Sequence, residues 1–211
     1  MNLPKKDKDG NQYLSYSQIH SFFNNRRDYI RQYFLGEKFE GNTYTKFGKL
    51  LGEALEKGDF SIFTNKEQEF LKTIPRYDEF EREVRLQRDG FYVIGYIDSN
   101  TSDCVKILDY KTGDMDKESV YTSEDYSQLY IYAAALEQEL GKLPKKASVI
   151  LIERLGNPFK KEKLGLGDKY IPIDKKVTKK AIKEVINKVD KTAKEISDLY
   201  EVFLKLNDCG K

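Results

Sequence analysis

Two short stretches decide the fold that this sequence predicts: Gly95-Tyr96-Ile97-Asp98 and Ile107-Leu108-Asp109-Tyr110-Lys111-Thr112-Gly113. Each is typical of a β-strand, and the polar residues 99–103 between them favour a turn. Paired as a hairpin, the two strands would bring Asp98 and Asp109 together near a strand end. Two carboxylates that close repel each other unless a cation lies between them, and oxygen ligands favour Mg²⁺ or Mn²⁺ over zinc. The sequence therefore predicts a divalent-metal site on this hairpin.

Lys111 adds a cationic group to the same site. It lies two residues beyond Asp109, so the alternation of side chains along a strand points both to one face. An ammonium group there can orient an attacking water molecule or stabilise the charge of a phosphorane-like transition state. The sequence leaves both roles open.

The rest of the chain predicts an α/β fold with a mixed central β-sheet flanked by α-helices. Helical periodicity covers residues 17–35, a segment that ends near Gly58, residues 66–73, 123–141 and 177–206. Alternating or apolar runs predict strands at residues 80–87, 91–97, 105–111, 147–153 and 170–173. The first three strands are expected to form a meander.

Length and composition favour one domain over residues 1–211. A chain of 211 residues with 39% hydrophobic residues can bury one core. We expect residues 1–13 to be flexible and residues 175–211 to form a lysine-rich C-terminal helix. No apolar run is long enough to cross a bilayer and the N-terminus lacks the apolar core of a signal peptide, so we expect a soluble, cytoplasmic protein with no membrane partner.

Charge is unevenly distributed along the chain. Residues 51–125 hold 18 acidic and 10 basic residues, whereas residues 157–194 hold 12 lysines and 5 acidic residues. An acidic centre beside a lysine-rich flank suits a protein that binds a cation and a polyanion together. Solvated helix faces would explain the same distribution.

The two opening stretches resemble motifs of the RecB-like branch of the PD-(D/E)xK nuclease superfamily, in which Gly-x-x-Asp is followed by Asp-x-Lys-Thr-Gly. Gln128 and Tyr132 match the Gln-x-x-x-Tyr motif that follows in that family, and residues 14–19 are similar to its opening helix. The resemblance implies a restriction-endonuclease-like core. It also implies metal binding by Asp98, Asp109 and the backbone carbonyl of Tyr110, with Lys111 completing the catalytic group.

One family position departs from this pattern, because Gly52 stands where the family usually has a histidine. Related exonucleases use a glutamate from this helix. Glu53 is therefore the candidate third catalytic and metal-binding carboxylate, with Glu56 as the alternative, although both also suit an exposed helix face. The single histidine, His20, is expected to be a surface or packing residue. Glu81 and Glu83 on the first strand could approach the metal, but alternation explains them as solvent-facing.

Cysteine usage argues against an iron–sulfur cluster. Relatives with a cluster have one cysteine in the first helix and three near the C-terminus, whereas this chain has Asn25 at the first position and only Cys209 near its end. We therefore expect Mg²⁺ or Mn²⁺ as the cofactor. The resemblance is to the cluster-free subgroup of phage-type and mitochondrial genome-maintenance exonucleases.

These features predict a metal-dependent DNA nuclease, more specifically an exonuclease that acts on single-stranded ends or flaps. The resemblance suggests a role in DNA replication, recombination or repair, including a phage replication or recombination role. Gln128, Tyr132, Ser17, Arg26 and Arg27 are candidate nucleic-acid contacts, although a solvated helix face explains the arginines equally well. RNA remains open as a substrate. The alternative is a catalytically inactive nucleic-acid-binding module with a nuclease fold. The oligomeric state is not indicated.

Overall fold

The structure, a computed structural model, describes residues 1–123 and 126–208, and its strands and helices all belong to that part of the chain. The strands are β1 (Tyr13–Ser15), β2 (Glu79–Arg88), β3 (Phe91–Asn100), β4 (Lys106–Gly113), β5 (Lys146–Leu155) and β6 (Gly165–Lys175). The helices are α1 (Tyr16–Asn24), α2 (Arg26–Tyr29), α3 (Thr43–Lys57), α4 (Asn65–Leu71), α5 (Glu118–Thr122), α6 (Gln128–Leu140) and α7 (Lys179–Asp208).

The six strands form one mixed sheet. β2, β3 and β4 make the predicted antiparallel meander, β4 pairs in parallel with β5, and β5 pairs antiparallel with β6. The short β1 was not predicted, and it pairs in parallel with the first half of β3. One edge of β3 therefore contacts β1 along its first half and β4 only at its last two residues, a feature that positions the candidate site.

Helices cover both faces of this sheet, and each face has its own core. On one face, apolar residues of α1, α2, α6 and α7 pack on Val84, Val93 and Ile107. On the other, α3 and α4 pack on Leu108, Ile150 and Ile152. The predicted α/β class, with a mixed sheet flanked by helices, is confirmed. None of the helices in the described part of the chain is long and apolar enough to span a membrane.

The first helix is interrupted, and the predicted continuous helix over residues 17–35 is wrong. It begins as expected, with Ser15 Oγ accepting a hydrogen bond from the Gln18 backbone N–H. Asn25, however, has an extended φ of −151°, and its side chain accepts a hydrogen bond from Asp28 N–H to begin α2. A π-helical turn over Ile30–Phe34 follows. An asparagine that caps a new helix competes with helix continuation, which periodicity alone does not reveal.

The helix expected at residues 123–141 also begins later, at Gln128, since Tyr126 and Ser127 lie before it. Residues 124 and 125, within that prediction, lie outside the described residues, as do Cys209 and the last two residues of the expected C-terminal helix. The flexibility of residues 1–13 stays a prediction. In the structure, however, that segment is anchored, because Leu3 is buried and Asn2 N–H donates to Ser197 Oγ of α7 at 2.7 Å.

Candidate active site

The candidate site lies where β3 and β4 separate. The two strands pair only through Ser99 with Leu108 and Asn100 with Ile107, and beyond that point β4 continues along β5. The other end of the same edge of β3 is taken by β1, which pairs with residues 92–94. Residues 95–98 of β3 therefore face an opening in the sheet. Asp98 lies on β3 and Asp109 on β4 where the fork opens, so the two aspartates mark the end of pairing rather than the strand ends.

Asp98 completes the backbone hydrogen bonding at this fork. Its Oδ2 accepts a hydrogen bond from the Tyr110 backbone N–H at 2.6 Å. Burial first, and then the negative charge of Asp109, raise the pKa of Asp98 to about 7. The carboxylate is therefore fixed in place but costly to ionise. A cation placed beside it would relieve that cost.

Asp109 and Lys111 form an ion pair inside the fork, as the alternation of side chains predicted. Asp109 is fully buried, and Lys111 Nζ lies 2.8 Å from its Oδ1 and 2.6 Å from its Oδ2. Burial alone would lower the pKa of Lys111, but the charges of Asp109 and Asp98 raise it above its usual value. Lys111 is thus held as an ammonium at the site.

A hydrogen-bonded chain of three side chains supports Asp109 from behind. Tyr126 Oη donates to Asp109 Oδ2 at 3.3 Å and lies 2.8 Å from Gln128 Oε1, and Gln128 Nε2 donates to Tyr132 Oη at 2.7 Å. The role of Tyr126 was not predicted, although this residue lies two positions before Gln128, the first residue of the Gln-x-x-x-Tyr motif. The ring of Tyr132 is buried, and its contact with nucleic acid stays a prediction.

Gly95 makes room for that chain. A Cβ atom on Gly95 would lie 2.2 Å from Tyr132 Cε1, well inside van der Waals contact. Steric contact therefore explains why the Gly-x-x-Asp stretch begins with glycine. At this position β3 passes directly against the Tyr132 ring, which leaves no room for a side chain. This contact links the β3 stretch to the Gln-x-x-x-Tyr motif on α6.

Glu81 enters the site from β2 through an unusual backbone conformation. Its neighbours Phe80 and Arg82 pair with Ser99 and Ile97, so Glu81 stands opposite Asp98, yet it has a φ of +50°. A positive φ is uncommon for a residue with a side chain and costs conformational energy. Glu81 is exposed, as alternation predicted, but it lines the cleft that contains Asp98. Burial and the charge of Glu56 raise its pKa.

The two helix glutamates considered from the sequence both face this cleft. Glu53 and Glu56 line it together with Gly52 of α3. Glu53 lies 3.9 Å from the ammonium groups of both Lys49 and Lys57 on its own helix, in exposed ion pairs. Glu56 is the one whose charge acts on Glu81. Glu83, by contrast, is engaged by Arg85 and Tyr96.

Two clefts meet at Lys111. The first, of about 690 Å³, is the acidic cleft: it lies on the α3 side and is lined by Asp98, Glu53, Glu56 and Glu81 as well as Lys111. The second, of about 860 Å³, is the aromatic cleft: it lies on the α1 side and contains Gln128 and several tyrosines. Ser17 lines the aromatic cleft, and its contact with nucleic acid stays a prediction. The structure does not bring Arg26 or Arg27 to either cleft.

Arg26 does not line either cleft because its side chain contacts residues of α1 and α7. Its guanidinium lies 3.6 Å from the Glu195 carboxylate of α7 and 4.3 Å from the centre of the Phe22 ring. The break at Asn25 separates α2, which carries both arginines, from the part of α1 that lines the aromatic cleft. Arg27 is exposed at the surface.

The donor set at the fork fits a divalent cation in its chemistry. Two carboxylates lie close enough for the charge of one to raise the pKa of the other, and hard oxygen donors of this kind suit Mg²⁺ or Mn²⁺. Within residues 1–123 and 126–208, however, no three acidic, histidine or cysteine side chains are already gathered around one point. A third side-chain ligand would come from one of the carboxylates of the acidic cleft, Glu53, Glu56 or Glu81.

Comparison with known proteins gives a family match. A family model described as the PD-(D/E)XK nuclease superfamily matches residues 60–208, which include Glu81, Asp98, Asp109, Lys111 and Gln128. No curated protein matches the chain.

Two solved structures share the architecture at low sequence identity. A protein from Eubacterium rectale described as "Putative exonuclease" is 14% identical with a TM-score of 0.55, over 90% of this chain and 82% of that one. An alkaline exonuclease from Laribacter hongkongensis is 13% identical with a TM-score of 0.51, over 94% of each chain. At these identities the likeness concerns the fold.

Proposed function

This chain belongs to the PD-(D/E)XK nuclease superfamily, and from that premise we propose that it is a metal-dependent deoxyribonuclease that removes nucleotides from single-stranded ends or flaps of DNA. The single observation that carries the proposal is the fork, where Asp98, Asp109 and Lys111 converge on one point beside two open clefts. This set of groups can bind a cation and act on a phosphodiester at the same place.

Asp98 and Asp109 would hold the metal, with Tyr110 contributing its backbone carbonyl and one carboxylate of the acidic cleft completing the set. Glu53 was the first candidate for that carboxylate, but its neighbours Lys49 and Lys57 compete for it. Glu81, whose charge raises the pKa of Asp98, and Glu56, whose charge raises the pKa of Glu81, are the other candidates on the same cleft. When bound, Mg²⁺ or Mn²⁺ supplies charge neutralisation at the phosphate and lowers the pKa of the attacking water.

Side chains of the protein would orient the groups that react. Lys111, kept charged by two aspartates, can orient the attacking water or stabilise negative charge on the phosphorus centre as the bond to the leaving oxygen breaks. Tyr126 would help to position Asp109, and Gln128 would support Tyr126. Both also line the aromatic cleft, so the proposed contact between Gln128 and nucleic acid is compatible with this arrangement. Tyr132 supports Gln128 in turn.

The proposed preference for ends and single strands rests on what surrounds the fork. The described residues contain no separate element for reading bases in a duplex groove, so contacts to phosphates and unpaired bases are the simpler mode of binding. The proposed pathways are DNA replication, recombination or repair, including a phage-encoded role. RNA hydrolysis would use the same chemistry, since metal-assisted cleavage does not require a deoxyribose.

A nuclease assay with matched variants tests the proposal. Linear and circular single-stranded DNA would be incubated with the protein and Mg²⁺, Mn²⁺ or EDTA, alongside an RNA of the same sequence. We expect hydrolysis of linear DNA with either metal and none in EDTA. Lys111→Ala and Asp98→Asn should each lose at least about a hundredfold in rate. Lys106→Ala, on an exposed residue of the same strand, should retain full activity.

The outcomes separate the alternatives. Undiminished hydrolysis by Lys111→Ala would remove these residues from the mechanism, and degradation of circular DNA would show an endonuclease. Glu53→Gln, Glu56→Gln and Glu81→Gln, assayed singly, identify the further ligand as the one whose loss raises the metal concentration needed for activity. A variant that keeps full activity shows that the substituted glutamate is not a metal ligand.

One observation favours the inactive nucleic-acid-binding module. Gly52 offers no ligand where the family usually has histidine, and the described residues hold no preassembled group of three ligands. Binding of DNA with no hydrolysis under any metal condition would establish that alternative.

A further inference from the structure

We propose that an unpaired DNA strand leaves the active site along a groove between α1, α5 and α7, with its bases against aromatic side chains and its phosphates on lysines at the start of α7. We call this the lysine groove. The proposal rests on the proposed nuclease function and deepens it by assigning the path of the substrate beyond the fork.

Continuity with the active site is the first argument. The aromatic cleft at Lys111 shares four residues with a neighbouring cleft of about 500 Å³, namely Tyr16, His20, Val120 and Tyr126. That second cleft shares Ser127 and Lys188 with a third, of about 350 Å³, which is lined by Lys176 and Lys180. The three clefts therefore form one path from the fork to the first turns of α7.

Aromatic side chains on this path suit unpaired bases. Phe23 is 48% exposed although its ring lies inside a concave surface, and Lys188 Nζ lies 5.6 Å from the centre of that ring. Tyr16 and Tyr121 line the part nearest Lys111. Aromatic rings stack on bases of a single strand, whereas bases in a duplex are already stacked on each other. An exposed ring beside an ammonium can also stack on a base whose phosphate the ammonium binds.

The charge of the lysine groove fits a polyanion. Among the described residues that line its three clefts there is one acidic side chain, Glu184, and there are five lysines: Lys111, Lys117, Lys176, Lys180 and Lys188. The acidic cleft across the sheet is less positive, because its four carboxylates outnumber its three cationic side chains, Lys49, Lys111 and Arg154. A metal and a nucleic-acid strand would thus approach Lys111 from different sides, without competing for the same groups.

A binding experiment in EDTA separates this proposal from catalysis. The affinity of the full-length protein for fluorescent oligo(dT) would be measured by anisotropy at several salt concentrations. We expect the triple variant Lys176→Gln, Lys180→Gln and Lys188→Gln to bind at least about tenfold more weakly. Its plot of log affinity against log salt should be shallower by about 2, because each single-strand phosphate contact contributes roughly 0.7 to the slope.

The matched control is a second triple variant, Lys183→Gln, Lys191→Gln and Lys194→Gln. These exposed lysines lie on the same helix, and none lines the lysine groove. The control removes the same charge, so it should bind almost as the parent does. Equal losses in the two triple variants would overturn the proposal, since they would show an effect of net charge alone.

Stacking is tested at Phe23. Phe23→Ala should weaken oligo(dT) binding by about tenfold, and Phe23→Trp should restore it. Circular dichroism melting checks that both variants stay folded. Equal affinity of the parent for duplex DNA, or for a polyglutamate peptide of the same charge, would overturn the assignment to an unpaired strand.

Failure of the groove proposal and failure of the nuclease proposal are distinguishable. If hydrolysis requires Lys111 but the groove variants bind normally, the path is wrong and the enzyme stands. If the groove variants lose binding while no metal supports hydrolysis, the groove stands and the enzyme does not.

Discussion

Asp109 is held by two side chains, the Lys111 ammonium and the Tyr126 hydroxyl. Because it is fully buried, each of those contacts fixes its orientation more strongly than the same contact would at the surface. Gln128 and Tyr132 extend the hydrogen-bonded chain, and the ring of Tyr132 at its far end is buried. At the residue scale, the Gln-x-x-x-Tyr motif is therefore connected to the Asp109 carboxylate through Tyr126, and it contacts β3 at Gly95.

The close contact between Gly95 and the Tyr132 ring predicts that a side chain at position 95 would clash with that ring. Gly95→Ala would place a methyl group 2.2 Å from the Tyr132 ring, so β3 or the ring must move. We expect a loss of about 3 kcal/mol in the free energy of unfolding, as for overpacked cores, measured by urea denaturation. Hydrolysis should fall too, because Gln128 loses its partner.

The control is the double variant Gly95→Ala with Tyr132→Leu, in which the ring is absent. It should regain part of the stability while activity stays low. A Gly95→Ala protein as stable as the parent would show that Tyr132 has room to move, and would contradict the steric account.

A second prediction concerns Glu81, whose backbone is strained and whose side chain lines the same cleft as Asp98. Glu81→Gly removes the cost of a positive φ, and we expect the protein to become more stable by about 1 kcal/mol. Glu81→Gln keeps the backbone and should leave stability nearly unchanged. Both should bind Mn²⁺ more weakly by calorimetry. Loss of stability in Glu81→Gly would mean that the residue contributes contacts that outweigh its strain.

At the scale of elements, sequence pattern predicted which segments form helices and strands better than how they begin and end. Strands β2 to β6 and helices α3, α4 and α7 follow from periodicity, because each has one apolar face to bury. The break at Asn25 depends on a side chain that bonds a backbone N–H three residues later. The three-residue β1 is too short for any periodicity to identify.

The candidate site shows the same division. Asp98, Asp109 and Lys111 were predictable because a hairpin and side-chain alternation bring them together. Tyr126 was adjacent to a recognised motif, but its role depends on the irregular backbone before α6. Alternation explained Glu81 as solvent-facing, with an approach to the metal left open, and it is exposed; its positive φ was missed because no pattern of residue types reveals one in a strand. The missed features are all local backbone irregularities.

Helix α3 offers a prediction of its own at Gly52. A Cβ atom there would meet nothing within 4 Å, so the helix tolerates a side chain that faces the acidic cleft. Gly52→Ala should stabilise the protein by about 1 kcal/mol, since glycine is a poor helix former. Gly52→His should bind Mn²⁺ and Ni²⁺ more tightly than Gly52→Ala does, with a smaller change for Mg²⁺, because imidazole suits the transition metals. Identical metal affinities in the two variants would show that the imidazole does not reach the fork.

At the scale of the whole molecule, the sheet separates two electrostatic environments. Carboxylates of α3 and β2 gather on one side of the fork, and lysines of α7 follow the groove on the other. Of the residues that the structure describes, only Lys111 lines both the acidic cleft and the aromatic cleft. The opening between β1 and β4 along β3 makes this possible, because it interrupts the sheet where the two sides must meet.

Asp98, in the acidic cleft, predicts that the global stability of the protein depends on pH. The pKa of Asp98 is about 7 in the folded protein and 3.8 in a model peptide, so without metal its contribution to stability is present below about pH 4 and is lost as the pH rises through 7. Asp98→Asn, which cannot ionise and can still accept the Tyr110 N–H bond, should lack this loss. Chemical denaturation of both proteins from pH 4 to 8 in EDTA measures the difference.

Metal should reverse that trend, because a cation binds the ionised carboxylate and competes with the proton. The increase in melting temperature caused by saturating Mn²⁺ should therefore be larger at pH 8 than at pH 5.5 in the parent and nearly absent in Asp98→Asn. Asp103→Asn, a carboxylate in the exposed turn between β3 and β4, should behave as the parent does with metal. If Mn²⁺ stabilised Asp98→Asn as much as the parent, the cation would bind somewhere other than the fork, and the proposed division of the molecule into a metal side and a nucleic-acid side would fail.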